Sequence, residues 1–164
     1  MSESKFKIRS ATREDAEAIF DLIKALAQYE RLTHQVTGSA KELASHLFGD
    51  RIYAEAIVTE LENKIVGFAL FFPNYSTFLT KPGIYLEDLF VLPEYRRRGI
   101  GKAMLGYLGK LAKDRGAGRL EWSVLDWNES AIAFYQQMGA KVLPDWRICR
   151  VTEESLSALA SDHS

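Results

Sequence analysis

The chain has 164 residues, 21 of them basic and 22 acidic, for a formal net charge of −1. That length buries a core without staples and fits one domain over residues 1–164, while the balanced charge argues against a general nucleic-acid binder. A single cysteine, Cys149, excludes an intramolecular disulfide and a cysteine-based zinc cluster, and with no signal-like start and no apolar run near about 18 residues a soluble, cytoplasmic protein is expected, with no membrane partner.

Phe6 to Arg9 alternates as a short strand. Thr12 then offers an N-cap, with Glu14, Asp15 and Glu17 near the first turn of a helix. Ile19, Leu22, Ile23 and Leu26 recur at helical spacing and carry that helix to Tyr29 or Glu30. Residues 40–48 read as a second, shorter helix before Gly49, 53–59 as a strand, and Glu62-Asn63-Lys64 as a turn. Ile65 to Phe72 is a nearly continuous apolar strand, the pattern of a buried sheet position. Pro73 to Pro82 reads as a loop, and Tyr85 to Leu92 as the next strand, ended by Pro93. Ile100, Ala103, Met104, Leu108, Leu111 and Ala112 make one helical face, with Gly116 as its stop. Arg119 to Leu125 is a further strand. Asn128 caps a helix bearing Ala131, Phe134, Tyr135 and Met138, with Gly139 just beyond, and a last strand is expected over 145–151. The alternation of strands and helices is mixed α/β, with helices packed on a central sheet.

The most telling stretch is Arg96-Arg97-Arg98-Gly99-Ile100-Gly101-Lys102, between a strand and a helix start. The first N–H groups of a helix lack internal partners and its dipole favours an anion there, so a short basic Gly-containing loop suits a pyrophosphate. A Walker loop would need Ser or Thr after the lysine, where this chain has Ala103. A dinucleotide fingerprint would need a third glycine where Met104 stands. Taken alone, the motif is equally a basic helix start on a solvated surface.

Three segments together resemble the GNAT superfamily of acetyl-CoA-dependent N-acetyltransferases: Tyr85-Leu86-Glu87-Asp88-Leu89-Phe90-Val91, the Arg96 to Gly101 loop, and Trp127-Asn128-Glu129 through Phe134-Tyr135. Leu22 to Glu30, Ile65-Val66-Gly67-Phe68-Ala69 and Trp146 extend the resemblance to one branch, the diamine acetyltransferases (spermidine/spermine N1-acetyltransferase-like and thialysine acetyltransferase-like). It covers residues 5–156, and implies an α/β fold in which a twisted mixed sheet flanked by helices holds CoA between splayed central strands. It also implies acetyl transfer from acetyl-CoA to a primary amine of a polyamine, diamine or lysine-like acceptor, by direct attack in a ternary complex, and a homodimer. A protein lysine or N-terminus as acceptor, or a non-catalytic acyl-CoA-binding module, are the alternatives.

By the same resemblance, Arg96, Arg97, Arg98, Gly99, Ile100, Gly101 and Lys102 hold the pyrophosphate, backbone at Leu89, Phe90 and Val91 pairs with the pantetheine arm, and Asn128, Glu129, Ser130 and Ala131 complete the CoA site. Tyr135 takes the place of the general acid. Periodicity alone makes it one more apolar position of its helix. A donor there suits the chemistry, because the leaving thiolate's conjugate acid has a pKa of roughly 8.5. The acceptor raises the opposite problem. A primary ammonium, with a pKa of about 10.4, is ~3.4 units from free amine at pH 7, or about 4.6 kcal/mol. Some group must take that proton, and Glu87 is the candidate. Asp88 reads as a structural carboxylate pointing to the opposite sheet face if the strand is regular. Tyr29, Glu30, Glu121, Trp122 and Ser123 match segments that contact the amine, and Asp145 stands for the acidic group near Trp146. Trp122 also reads as core, as does Cys149. His34, His46 and His163 form no metal spacing, so no metal is expected.

Overall fold

Strand β1 (Lys7–Ser10) begins the sheet, and charge fixes how the chain leaves it. In the computed structural model, which describes residues 5–162, Arg9 donates from Nη1 and Nη2 to the two carboxylate oxygens of Asp15 at 2.7 and 3.0 Å. The same carboxylate accepts the Thr12 backbone N–H at 2.7 Å and its hydroxyl at 3.2 Å, closing the 3₁₀ turn Arg13–Asp15 that leads into helix α1 (Ala16–Tyr29). Asp15 is buried. The Arg9 guanidinium, helped by Thr12 and opposed by burial, holds its carboxyl below the usual carboxylate range.

The described residues fall into two compact units, the first ending at Ser123 and the second beginning at Val124. In the first unit α1 turns Ala16, Ile19, Leu22 and Ala27 inward. It ends in a left-handed residue, Arg31 at φ 63°, with the Leu32 N–H returning to the Ala27 carbonyl at 2.8 Å. Helix α2 (Ala40–Phe48) follows, its N-cap Ser39 accepting the Glu42 N–H at 3.1 Å. Strands β2 (Glu55–Leu61) and β3 (Lys64–Ser76) are joined at Glu62 and Asn63, with φ of 52° and 64°, the double left-handed pair that a two-residue hairpin requires.

Strand β4 (Lys81–Val91) pairs antiparallel with β3 along its whole length. The stretch 73–82, expected as a loop, is therefore mostly strand, with only 77–80 left to turn. Pro73 and Pro82 sit in that ladder opposite Ile84 and Tyr75, and Tyr75 favours the extended chain over a coil. The sheet order is β1-β2-β3-β4-β5, antiparallel up to β4 and parallel between β4 and β5. Strand β5 is Leu120–Glu121, far shorter than the expected 119–125, so β4 has a parallel partner only at Ile84 and Tyr85.

Helices cover both faces of this sheet. Ile19, Leu22 and Leu47 of α1 and α2 pack with Ala56, Val58, Phe68 and Phe90 in one buried cluster. The opposite face carries helix α3 (Ile100–Asp114), with Ile100, Met104, Leu105, Leu108 and Ala112 buried. A Cβ on Gly67 would lie 3.4 Å from the Met104 side chain and 3.1 Å from the Phe90 carbonyl, so the absence of a side chain lets α3 sit down on β3 and β4. Gly116, at φ 70°, ends α3 as expected.

In the second unit Asn128 caps α4 (Glu129–Gln137), its Oδ1 accepting the Ala131 N–H at 3.3 Å, and Gly139 stands beyond it at φ 97°. The strand expected over 145–151 does not form. Among the described residues no strand pairs with this stretch, and an extended segment without a ladder partner is not stable. Cys149 is accordingly exposed, not a core residue. Helix α5 (Glu153–Asp162), unanticipated in the sequence, closes the described chain. His163 lies outside the described residues.

Replacing Asp15 by Asn breaks a charge-assisted pair and leaves Arg9 the longer ion pair with Glu60 at 3.5 Å, and should cost about 1–3 kcal/mol in urea unfolding at neutral pH. The wild type holds this contribution above the ordinary carboxylate range and loses it as pH falls through the depressed folded value, so the gap between the two proteins should close below about pH 4.

Candidate active site

The bulge in β4 is the feature from which the first unit's chemistry grows. Asp88 pairs with Leu70 while Leu86 pairs with the next β3 residue, Phe71, so Glu87 is an extra residue with no opposite number. The regular alternation that sends Glu87 and Asp88 to opposite faces is broken here. Before the bulge Leu86 shares a register pair with Phe71, on the α3 side. After it Asp88 and Phe90 pair with Leu70 and Phe68, on the side covered by α1. The phase change re-aims Asp88 toward the end of α1, where Tyr29 and Glu30 stand.

Three acidic residues feel one another there. Burial pushes the Asp88 carboxyl up to about 7, and the charges of Glu87 and Glu30 push it in the same direction. Burial also raises Glu30, whereas Glu87 is exposed. Tyr29 lies beside this group, its ring centroid 6.5 Å from that of Phe90. The structure thus brings together Tyr29, Glu30, Glu87 and Asp88, and Asp88 is the residue whose facing the regular-strand expectation placed elsewhere. The available signal was a pair of consecutive acidic residues between Leu86 and Leu89 in an otherwise apolar strand, which breaks a period of two.

Below the bulge, Leu89 to Val91 run on beyond the short β5. The chain then makes the 3₁₀ turn Pro93–Tyr95 and enters the basic loop. Arg97 and Gly99 both have positive φ, 65° and 82°. A methyl built at Gly99 meets nothing within 4 Å, so conformation and not crowding asks for glycine there, and its surface is open to an incoming group. The first internal bond of α3 runs from the Ala103 N–H to the Gly99 carbonyl at 3.0 Å, and the N–H groups of Ile100, Gly101 and Lys102 precede it. With Arg98 and Lys102 adjacent, this arrangement fits a bound anion. Arg96 is engaged differently: its Nε donates to the Val91 carbonyl at 3.0 Å.

On the other side of β4, Glu121 accepts from Asn74 Nδ2 at 3.3 Å, and Ser123 and Tyr85 share a hydrogen bond of 2.8 Å. Trp122 is half-buried, between the core and contact readings. In the second unit, Asn128, Glu129, Ser130 and Ala131 form the first turn of α4, with the Ser130 hydroxyl 3.3 Å from Asn128 Oδ1. Tyr135 is half-buried on the same helix, its ring 5.5 Å from that of Phe134. Asp145 and Trp146 lie in the irregular segment that follows, with Trp146 exposed. No group of three metal-ligating side chains occurs among the described residues. Among them, too, no helix is long and apolar enough to cross a membrane.

The profile described as Acetyltransferase (GNAT) family matches residues 19–140. The chain is 38% identical to the L-ornithine N5-acetyltransferase of Arabidopsis thaliana, over 93% of this chain and 87% of that protein. It is 35% identical to the thialysine N-epsilon-acetyltransferase of Bos taurus, over 93% of this chain and 96% of the relative. Among solved structures, an integron cassette protein from the mobile metagenome of V. cholerae has the same fold, with a TM-score of 0.78 at 23% identity over 94% of this chain and 97% of that one.

A carboxyl that holds its proton more tightly folded than unfolded lowers stability as pH rises from the ordinary carboxylate range through its folded value. With Asp88 at about 7, Asp88→Asn should raise the melting temperature at pH 8 by a few degrees and change it less at pH 5, measured by calorimetry across that range.

Proposed function

Because the chain belongs to the GNAT family of acetyltransferases, we propose that it moves acetyl from acetyl-CoA to the terminal primary amine of a lysine-like amino acid or short diamine. Acetyl transfer to an amine is the activity of the family and of both named relatives, and the chain is an N-acetyltransferase. The choice of acceptor is the finer step. The names of the two relatives specify side-chain nitrogens, N5 of ornithine and N-epsilon of thialysine. A cluster of three carboxyls at the end of α1 is the single observation that supports such an acceptor here.

That cluster has two tasks in this reading. Glu30 and Glu87 attract the cation, and Tyr29 presents a ring face beside them. Attraction by charge also stabilises the ammonium, which makes the free amine scarcer. Asp88 offsets that penalty. A carboxyl near 7 is a far better proton acceptor for an ammonium than one near 4, and at neutral pH a sizeable part of it is ionised. We therefore assign Asp88 as the base, directly or through one water, with Glu87 setting its affinity for the proton.

The donor brings an activated acyl group as its thioester. The loop residues Arg97 to Lys102 would hold its pyrophosphate through backbone N–H groups and charge, and backbone at Leu89 to Val91 would pair with its arm. In the transfer, the bound ammonium gives one proton to Asp88, the freed amine nitrogen bonds to the acyl carbon, the carbon–sulfur bond breaks, the leaving thiolate takes a proton from Tyr135, and the second nitrogen proton passes through solvent to restore the phenol. Holding both reactants removes much of the entropic part of the barrier. A homodimer belongs to the same proposal.

Turnover of acetyl-CoA with thialysine, ornithine, short diamines and spermidine tests the assignment. The log of kcat/KM for the amine should rise with unit slope below about pH 7 and level above it. Asp88→Asn should remove the limb and about 10²–10⁴ of the rate. Glu87→Gln and Glu30→Gln each remove a repelling charge, so both should move the limb to lower pH. Tyr135→Phe should lower kcat about 10²-fold or more. Absence of CoA release with every amine, or acetylation only of intact protein, would overturn the small-amine reading.

A further inference from the structure

Arg96 belongs to the basic loop by sequence but to a different assembly by contact. Its guanidinium carbon lies 4.8 Å from the centre of the Tyr29 ring and 5.3 Å from the centre of the Phe90 ring. Its Nε donates to the Val91 carbonyl at 3.0 Å. One side chain therefore joins three elements: the end of α1, the α1-facing side of β4, and the start of the phosphate loop. The two neighbouring arginines do nothing comparable. Arg97 occupies a left-handed turn position, and Arg98 faces the Tyr95 ring at 5.3 Å.

The chemistry of the bracket is specific to arginine. A guanidinium is flat, so its faces stack on rings while its edge N–H groups donate in plane; an ammonium offers no such division of labour. The partners differ in exposure. Phe90 is 4% exposed within the core, whereas Tyr29, the last residue of its helix, is 38% exposed. Arg96 thus bridges the more exposed ring and the buried one. Glu30 follows Tyr29 directly and raises the Asp88 proton affinity, so the position of Tyr29 also sets where that charge stands.

We propose that Arg96 is a positioning residue that fixes the acceptor-binding end of α1 from the loop that holds the donor, and not primarily a phosphate ligand. The inference rests on the reading that Tyr29 and Glu30 face the amine and that Arg97 to Lys102 face CoA. A donor settled in the loop would steady Arg96, Arg96 would steady Tyr29, and by linkage an amine at Tyr29 would favour the donor in return.

The experiment is a double-mutant cycle on steady-state constants for acetyl-CoA and thialysine. Arg96→Lys keeps the charge and, at an exposed position, the fold. It should raise the thialysine KM about tenfold, the product of roughly two- to fivefold for the stacking given up on each ring, with a smaller change in the acetyl-CoA KM. Tyr29→Leu should raise the amine KM alike, and the double variant should fall well short of the product of the two. A rise confined to the acetyl-CoA KM would make Arg96 a phosphate ligand and overturn the inference, as would multiplicative single effects. Wild-type protein that turns over no amine would overturn the functional reading and this inference with it, whereas normal wild-type turnover with an unchanged amine KM in Arg96→Lys overturns the inference alone.

Discussion

Strand β4 carries one more residue than the stretch of β3 it pairs with, and the mismatch at Glu87 governs what the first unit can do. Without the extra residue, Asp88 would keep the phase of Ile84 and Leu86 and face α3, among apolar side chains and away from Glu30. With it, the strand changes phase in mid-course. Its first half contributes to the core under α3, and its second half sends Asp88 and Phe90 to the α1 face. A β-bulge also adds twist and ends pairing, and β4 loses its parallel partner just before this point. The carboxyl cluster, the placing of Phe90 beside Tyr29 and the run of backbone from Leu89 onward that lies beyond β5 all follow from one inserted residue.

The burial of Asp88 and its neighbours act in one direction. In an exposed setting, like charges a few residues apart are screened and change little. Here burial has already disfavoured the ionised carboxyl, so the charges of Glu87 and Glu30 add to a penalty that solvent does not cancel. Asp15 is the counterexample within the same unit. It is also buried, yet Arg9 and Thr12 hold its carboxyl low. A buried and a half-buried aspartate on one scaffold thus differ because the first has a cation and N–H donors and the second has Glu87 and Glu30 acting on it. The first kind serves structure, closing the turn into α1. The second kind is the pattern of a group kept for proton transfer.

Much of this was legible in the residues. The two hairpin residues Glu62 and Asn63, the caps at Ser39 and Asn128, and the stops at Gly116 and Gly139 are local signals, and local geometry obeys them. The helix that follows the basic loop was legible too, since α3 begins at Ile100 where the loop ends. What failed to show was long-range. The stretch from Pro73 to Pro82 reads as a loop, but cross-strand pairing of those prolines with Ile84 and Tyr75 draws it into the ladder. The stretch 145–151 has the apolar spacing of a strand, but spacing cannot supply a partner. A bulge is likewise a property of two strands in register, so the turn of Asp88 toward α1 was invisible to a rule that assumes regular alternation. The contacts of Arg96 were hidden for a related reason: its ring partners, Tyr29 on α1 and Phe90 on β4, are gathered around it only by the fold.

An amine acetyltransferase faces two demands that oppose each other, since the charge that attracts its acceptor also protects the proton that must leave. A single strong carboxylate would satisfy the first and defeat the second. A lone carboxyl in an apolar pocket would do the reverse, with a high proton affinity and little long-range attraction. The arrangement at the end of α1 separates the tasks by exposure. In the proposal, Glu87, exposed, supplies attraction, while Asp88, more deeply set on the same bulge, supplies proton affinity. Glu87 would then act on the reaction without touching the proton, because its charge is part of what raises Asp88. On the proposed reading, the two adjacent acidic residues are neither redundant nor interchangeable, and the inserted backbone position is what allows neighbours in sequence to share one site at different depths.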